Sequence, residues 1–237
     1  MLSADERAAA ANELRGSLSE FDCPLCLNRG YVTKAVRGVL VASECECMAR
    51  RKNIRRIKAS GLEALLRNYT FDAFQETSAW QRGAKAKAEE FAEHPDGQWF
   101  IAMGSPGTGK THLCTAIAGA LMDQGKDTRY MLWRTEATRL KSLVTEAEEY
   151  QRELGKYKTV PVLYIDDLFK GKVTEADVNL ALELIGERYN RIGCVTIIST
   201  EKSLEDLLEI DEALGSRIYE RAKKYAIKMG NGNWRLR

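Results

Sequence analysis

No part of this 237-residue sequence stays apolar for long. The longest apolar runs, such as "VPVLYI" at 160–165, have the length of a strand. They fall far short of the ~20 residues that cross a bilayer as a helix. The opening "MLSADERAAAANELRG" mixes acids, bases and alanines without an apolar signal core, so the chain is expected to stay in the cytoplasm. Internal repeats and low-complexity segments are missing as well. So is any strong charge imbalance: the formal net charge of +2 says little about partners. Its distribution says more. From Arg50 to Lys58, and again from Arg221 to Arg237, every charged residue is basic. Either patch could meet phosphates or serve as a solvated helix face.

What is present suits a soluble globular protein, with 44% hydrophobic and 30% charged residues. The length favours one large domain and one small one. Nothing points to export, so the six cysteines are not read as a disulfide set. Cys114 and Cys194 fall in apolar segments and read as small buried residues.

Residues 3–18 predict a short amphipathic helix. "YVTKAVRGVLVAS" predicts two strands turning at Arg37-Gly38. A basic helix follows, with a break at Gly61, and "YTFDAF" at 69–74 reads as a linker into a second domain. The proposed boundary therefore separates residues 1–68 from 69–237. Beyond it the pattern alternates: a helix at 79–93, the strand "QWFIAM", and the helix "KTHLCTAIAGALMDQ" stopped by Gly125. The strand "TRYMLW" comes next, then one long charged helix at about 134–154 and the strand "VPVLYID". The helix "EADVNLALELIGERYN", the strand "CVTIIS", two short helices and a basic tail complete the series. Alternation with unbroken apolar strands predicts an α/β fold, a parallel sheet covered by helices on both faces.

"GSPGTGKT" at 104–111 fits G-x-x-x-x-G-K-[ST] and lies between a predicted strand and a predicted helix. Gly104, Gly107 and Gly109, with Ser105, Pro106 and Thr108, would let backbone N–H groups turn inward around phosphate oxygens. The helix N-terminus adds its positive dipole end. Lys110 would reach the β- and γ-phosphates of ATP, and Thr111 would offer a hydroxyl to Mg²⁺. His112 follows on the same helix, next to the nucleotide; packing suits it better than catalysis. "VLYIDD" at 162–167 supplies the other half of the site. Asp166 would hold Mg²⁺ through water, and Asp167 would orient the attacking water. A strand-end Asp pair serving only as a cap or turn is the alternative.

Cys23-x2-Cys26, then 18 residues, then Cys45-x-Cys47 offers four thiolates. A tetrahedral sulfur site favours zinc over an iron–sulfur cluster or unliganded thiols. Pro24 stiffens the first knuckle, Gly30 turns the chain away, and the hairpin at 31–43 returns the second pair to the first. So small a segment would draw much of its folding energy from the metal.

"GSPGTGKTHL", "VLYIDDL", "CVTIIST" and "GSRIYER", in this order, resemble the DnaC/DnaI-type helicase loaders of the AAA+ class. "CPLCLNRGYV…CECMARRKNIRRIKASGL…YTFDAF" resembles the cysteine-bearing loaders of Gram-positive bacteria, their phages and mobile elements. The resemblance implies an amino-terminal zinc module that docks on the hexameric replicative helicase. It implies an AAA+ domain that binds ATP and single-stranded DNA, self-associates into a ring or spiral, and hydrolyses ATP weakly until stimulated by assembly or DNA. Arg217 in "GSRI" matches the arginine finger that completes a neighbour's site; a surface helix arginine is the other reading. Where the family commonly has Asn after "TIIS", this chain has Thr200 and Glu201. Ser199 or Thr200 could replace the polar sensor, and an unpaired carboxylate at 201 would repel a γ-phosphate and slow hydrolysis. Arg235 in "GNGNWRLR" is a candidate sensor, and no full helical lid is expected.

Phe71 and Phe74 could wall the adenine pocket or pack the linker. Trp133, Arg134 and Lys141 could face a DNA path, with Trp133 stacking on bases or sitting in the core. Two rival functions stand beside the loader: an IstB-like transposition helper ATPase acting on duplex DNA and a transposase, and a non-hydrolysing adaptor.

Overall fold

Nearly every position of "WFIAM", "VLYIDDL" and "VTIIST" is buried, as strands covered on both faces require. The computed structural model describes residues 2–60 and 63–230. The break expected at Gly61 and the candidate Arg235 lie outside the described residues.

The amino-terminal part comprises α1 (Ala4–Glu13), the hairpin β1 (Tyr31–Val36) and β2 (Val39–Glu44), α2 (Cys47–Ser60) and α3 (Glu63–Asn68). The remainder runs α4 (Ala79–Glu93), β3 (Trp99–Met103), α5 (Lys110–Asp123), β4 (Thr128–Leu132), α6 (Trp133–Ser142), α7 (Ala147–Thr159), β5 (Val162–Leu168), α8 (Glu175–Asn190), β6 (Val195–Thr200), α9 (Leu204–Ile210), α10 (Glu212–Ala222) and β7 (Ala226–Lys228). Strands β4-β5-β6-β3-β7 form one sheet in that order, with every pairing parallel. The phosphate-loop strand β3 is thus flanked by β6 and β7, and the aspartate strand β5 lies one strand further away. One apolar layer, including Phe91, Phe100, Leu113, Ile117 and Tyr225, covers one side. Another, including Trp99, Leu140, Leu163, Leu184 and Ile218, covers the other.

Three sequence expectations change. The first helix stops at Glu13 instead of 18, because Leu14 turns extended. Gly16 and Leu18 then donate their amides to Leu27 and Asn28 in the cysteine knuckle. A Cβ on Gly16 would lie 2.3 Å from the Asn28 carbonyl oxygen, so only glycine permits this approach. The long helix at 134–154 is two helices, α6 and α7. Ser142 donates its hydroxyl to the Arg139 carbonyl, and the β-branched Val144 and Thr145 follow in the turn. Part of the basic tail is the edge strand β7, and the amide of Met229 just after it donates to the Met103 carbonyl.

The hairpin forms as its sequence requires, with Arg37 (φ 52°) and Gly38 (φ 78°) both left-handed at the turn. The basic helix α2 does more than expected. Its first residue is Cys47, and further along Asn53 and Ile57 pack into the sheet half. Asn53 accepts the Thr128 amide at 2.9 Å and donates to the Lys126 carbonyl, and Arg50 pairs with Asp123 at 3.2 Å. One helix therefore carries a cysteine at one end and joins the edge of the five-stranded sheet at the other.

Candidate nucleotide site and metal centre

Between β3 and α5 the loop 104–109 turns on Gly104, Gly107 and Gly109, all at positive φ. A side chain at Gly109 would press on the Phe74 ring at 3.1 Å, and one at Gly104 on the Met229 carbonyl at 2.9 Å. Phe74 is therefore a buried buttress of the loop, while the half-buried Phe71 packs at the core edge. Lys110 is nearly enclosed, and its Nζ donates to the carbonyls of Gly104 (2.7 Å) and Ser105 (2.8 Å). Burial lowers its pKa, opposed by Glu201 and Asp167. Thr108 donates to the Ser105 carbonyl at 2.9 Å and steadies the turn.

The register of β5 against β4 and β6 places Asp166 at the heart of a polar cluster. Thr111 Oγ1 donates to Asp166 Oδ1 at 3.2 Å, and Tyr130 OH donates to Oδ2 at 3.0 Å. Ser199 donates to Oδ1 and accepts the Asp167 amide at 2.8 Å. Burial and the Asp166 charge both raise the Tyr130 pKa, so the phenol stays a donor. The structure thus joins Thr111 to Asp166, as the motif requires. It also selects Ser199 as the polar group reaching the aspartates from β6; Thr200 instead donates to the Leu168 carbonyl at 2.8 Å.

Tyr69 was not foreseen. Its ring stacks on His112 (centroids 4.7 Å, planes 20° apart), and both line the cleft beside the phosphate loop. His112 Nε2 lies 2.8 Å from the Thr70 carbonyl oxygen, and Phe74 meets the ring edge-on. Burial lowers the His112 pKa. These contacts make His112 a packing residue that ties the 69–74 segment to α5. The signal available in the sequence was the aromatic spacing of "YTFDAF".

Trp133, Arg134 and Lys141 line a separate cavity of about 290 Å³ between α6 and the loop after β5. Trp133 is 3% exposed and meets Phe169 edge-on at 5.4 Å, so it belongs to the core and cannot stack on a base. Lys141 is held by Asp177 at 2.5 Å; Arg134 is exposed. Arg217 is half-buried on α10 beside Gly186 of α8 and does not line the phosphate-loop cleft.

At the amino-terminal end the sulfurs of Cys23, Cys26, Cys45 and Cys47 all lie within 4.8 Å of one another. The Cys23–Cys45 and Cys26–Cys47 separations are 3.9 and 3.6 Å. A tetrahedron with metal–sulfur bonds of about 2.3 Å has edges of about 3.8 Å, so these four could hold a metal ion as they stand. All six cysteines are free thiols, and Cys114 and Cys194 are buried as expected. The Gly30 amide donates to Cys26 Sγ at 3.4 Å. Burial pushes the Cys26 thiol up, but that amide and the neighbouring thiols outweigh it and bring it to about 6. Arg51, wholly buried, lies against Cys47, donates to Glu20 (2.7 Å), Phe21 O (2.8 Å) and Asn28 Oδ1 (2.9 Å), and stacks over the Phe21 ring. Burial pushes the Cys45 and Cys47 thiols up, and the buried Arg51 cation would offset part of the charge of thiolates formed on binding a metal.

The family model described as IstB-like ATP binding protein matches residues 29–237. The chain belongs to that family. Its AAA+ sheet is the one the loader resemblance implied. Among relatives, the phage-like element PBSX protein XkdC of Bacillus subtilis (strain 168) is 30% identical over 224 residues, covering 88% of this chain and 82% of that protein. The replicative helicase loader DnaC of Escherichia coli (strain K12) is 26% identical, covering 84% of this chain and 78% of DnaC. The crystal structure of the DnaC helicase loader superposes with a TM-score of 0.60 at 26% identity, over 70% of this chain and 98% of that structure. Among the described residues, no helix is long and apolar enough to cross a membrane.

Proposed function

We propose that this chain is an ATP-dependent loader that binds a hexameric replicative helicase and delivers it onto single-stranded DNA. The observation that carries the reading is the pairing of two sites that α2 joins. A phosphate loop with Thr111 bonded to Asp166 stands on the sheet, and a four-cysteine cluster is mounted on that sheet through α2. In this reading the loop amides and Lys110 hold the phosphates of ATP, and Thr111 and Asp166 hold Mg²⁺. Asp167 orients the attacking water, and Arg217 reaches a neighbour's site in a ring or spiral. Cys23, Cys26, Cys45 and Cys47 hold Zn²⁺, which supplies folding energy to the amino-terminal module. Residues 1–68 carry the helicase-docking surface. The hairpin there exposes the apolar side chains of Val39, Leu40 and Val41.

The energetic logic is a switch: ATP must favour one assembly over another, or binding moves nothing. The test is a loading assay on covalently closed single-stranded DNA circles with the host helicase. Helicase captured on circles only when both the chain and ATP are present supports the reading; capture independent of the chain contradicts it. The family description favours a second reading, a transposition helper of IstB type. That reading predicts preference for duplex over single-stranded DNA and no complex with the helicase.

A further inference from the structure

The cleft beside the phosphate loop carries two charged residues, Lys170 and Glu201, beyond those the loader roles use. Glu201, half-buried at the end of β6, is the carboxylate whose place near a γ-phosphate was a puzzle in the sequence. It does not stand alone. Lys170 Nζ lies 2.7 Å from Asp167 Oδ2 and 3.6 Å from Glu201 Oε1. The backbone holds the stem of that side chain in a turn. The Lys170 amide donates to the Asp167 carbonyl at 3.1 Å, closing a tight turn at the end of β5. Asp167 (φ 58°) and Phe169 (φ 57°) are both left-handed within it, a conformation non-glycine residues seldom adopt. Lys170, Asp167 and Glu201 line the same cleft, of about 210 Å³, as Lys110 and Thr111. All three charges are near enough to Lys110 to act on its titration.

The inner phosphates of a nucleotide fall to the loop amides, so a third phosphate is the one that meets this far wall. With Lys170 removed, Asp167 and Glu201 would present two negative charges to it. Resting on the nucleotide reading above, we propose that Lys170 is the triphosphate-selecting cation of this site: it offsets one of the two negative charges that Asp167 and Glu201 present and donates to the terminal phosphate. The ammonium has three donors, enough to serve both carboxylates and a phosphate oxygen together. A diphosphate ends before this wall and gains little from it. The arrangement also explains how a glutamate at 201 is compatible with ATP, since an ammonium lies 3.6 Å from it and weakens its repulsion.

The experiment is calorimetric titration of the full-length, metal-loaded chain with a non-hydrolysable ATP analogue and with ADP, both with Mg²⁺. Lys170→Ala should weaken the triphosphate by about tenfold or more and ADP by less than about threefold. Lys170→Arg should retain the preference, and Lys170→Ala with Glu201→Ala should recover most of the lost triphosphate affinity. Equal weakening of both nucleotides would make Lys170 a merely structural residue and overturn the proposal. Unchanged triphosphate affinity in Lys170→Ala would overturn it as well. A wild-type chain that binds neither nucleotide would instead sink the nucleotide reading on which this rests.

Discussion

Residues 21–48 enclose four cysteines and little else, whereas the sheet half encloses two continuous apolar layers. Around the cysteines Phe21, Val32 and Met48 add partly buried apolar surface, and every residue of β2 is exposed. The contrast separates two ways of meeting the entropy cost of folding. The sheet half does so with buried apolar area, which is diffuse and tolerant. The small module has too few such residues, and on the reading proposed above a metal held by its four cysteines makes up the difference, locally and all-or-none. Helix α2 belongs to both. Cys47 sits at its start and Ile57 in the apolar layer, so the module is bolted to the sheet rather than strung on a tether.

The most drastic way to break the comparison is to remove the sulfur cluster. Structural zinc in finger peptides is worth about 10–16 kcal/mol, so Cys26→Ser or a strong chelator should unfold the module outright. Limited proteolysis should then cut within residues 16–46 while ATP binding persists. A Leu184→Ala cavity in the second apolar layer should cost about 2–5 kcal/mol and lower the main thermal transition. Metal stoichiometry should not change. Asn53→Ala leaves the buried Thr128 amide without its acceptor at a cost of about 1–3 kcal/mol, and should loosen the mounting of α2, read as faster amide exchange at Thr128.

The gentlest test is by pH. Arg55, then Arg51, hold the Glu20 carboxyl well below its ordinary range, at about 2 instead of 4.5. A depressed carboxylate stabilises the fold above its unfolded pKa and ceases to do so as pH falls through the folded value. The stability gap between wild type and Glu20→Gln should therefore be full above about pH 4.5 and shrink between 4.5 and 2. Comparing denaturant midpoints of the two chains across that window checks it.

Much of this division could be read from the sequence. Parallel strands buried on both faces write themselves as unbroken apolar runs, and β3, β5 and β6 obey. The phosphate loop and the cysteine spacing constrain backbone and ligand geometry so tightly that few other sequences satisfy them. What could not be read depends on contacts between distant segments. Helix propensity alone runs through residues 134–154, and only the Ser142 back-bond and its β-branched neighbours divide it. The strand β7 is three residues long and owes its existence to the free edge of β3. Lys170 and Tyr130 look like ordinary polar residues until the strand register brings them to Asp167 and Asp166. Arg51 looked like one of many surface cations, and it is buried beside the sulfurs.

The central claim is that a metal-held module, fixed to an ATP-binding sheet through α2, grips the replicative helicase. Its most direct test is the dissociation constant of the full-length chain for the host helicase, measured with ATP for wild type and for Cys26→Ser. The account predicts tight binding by wild type and a loss of about a hundredfold or more for the variant, which keeps its ATP binding. Equal helicase affinity in a variant shown to have lost its metal would contradict it.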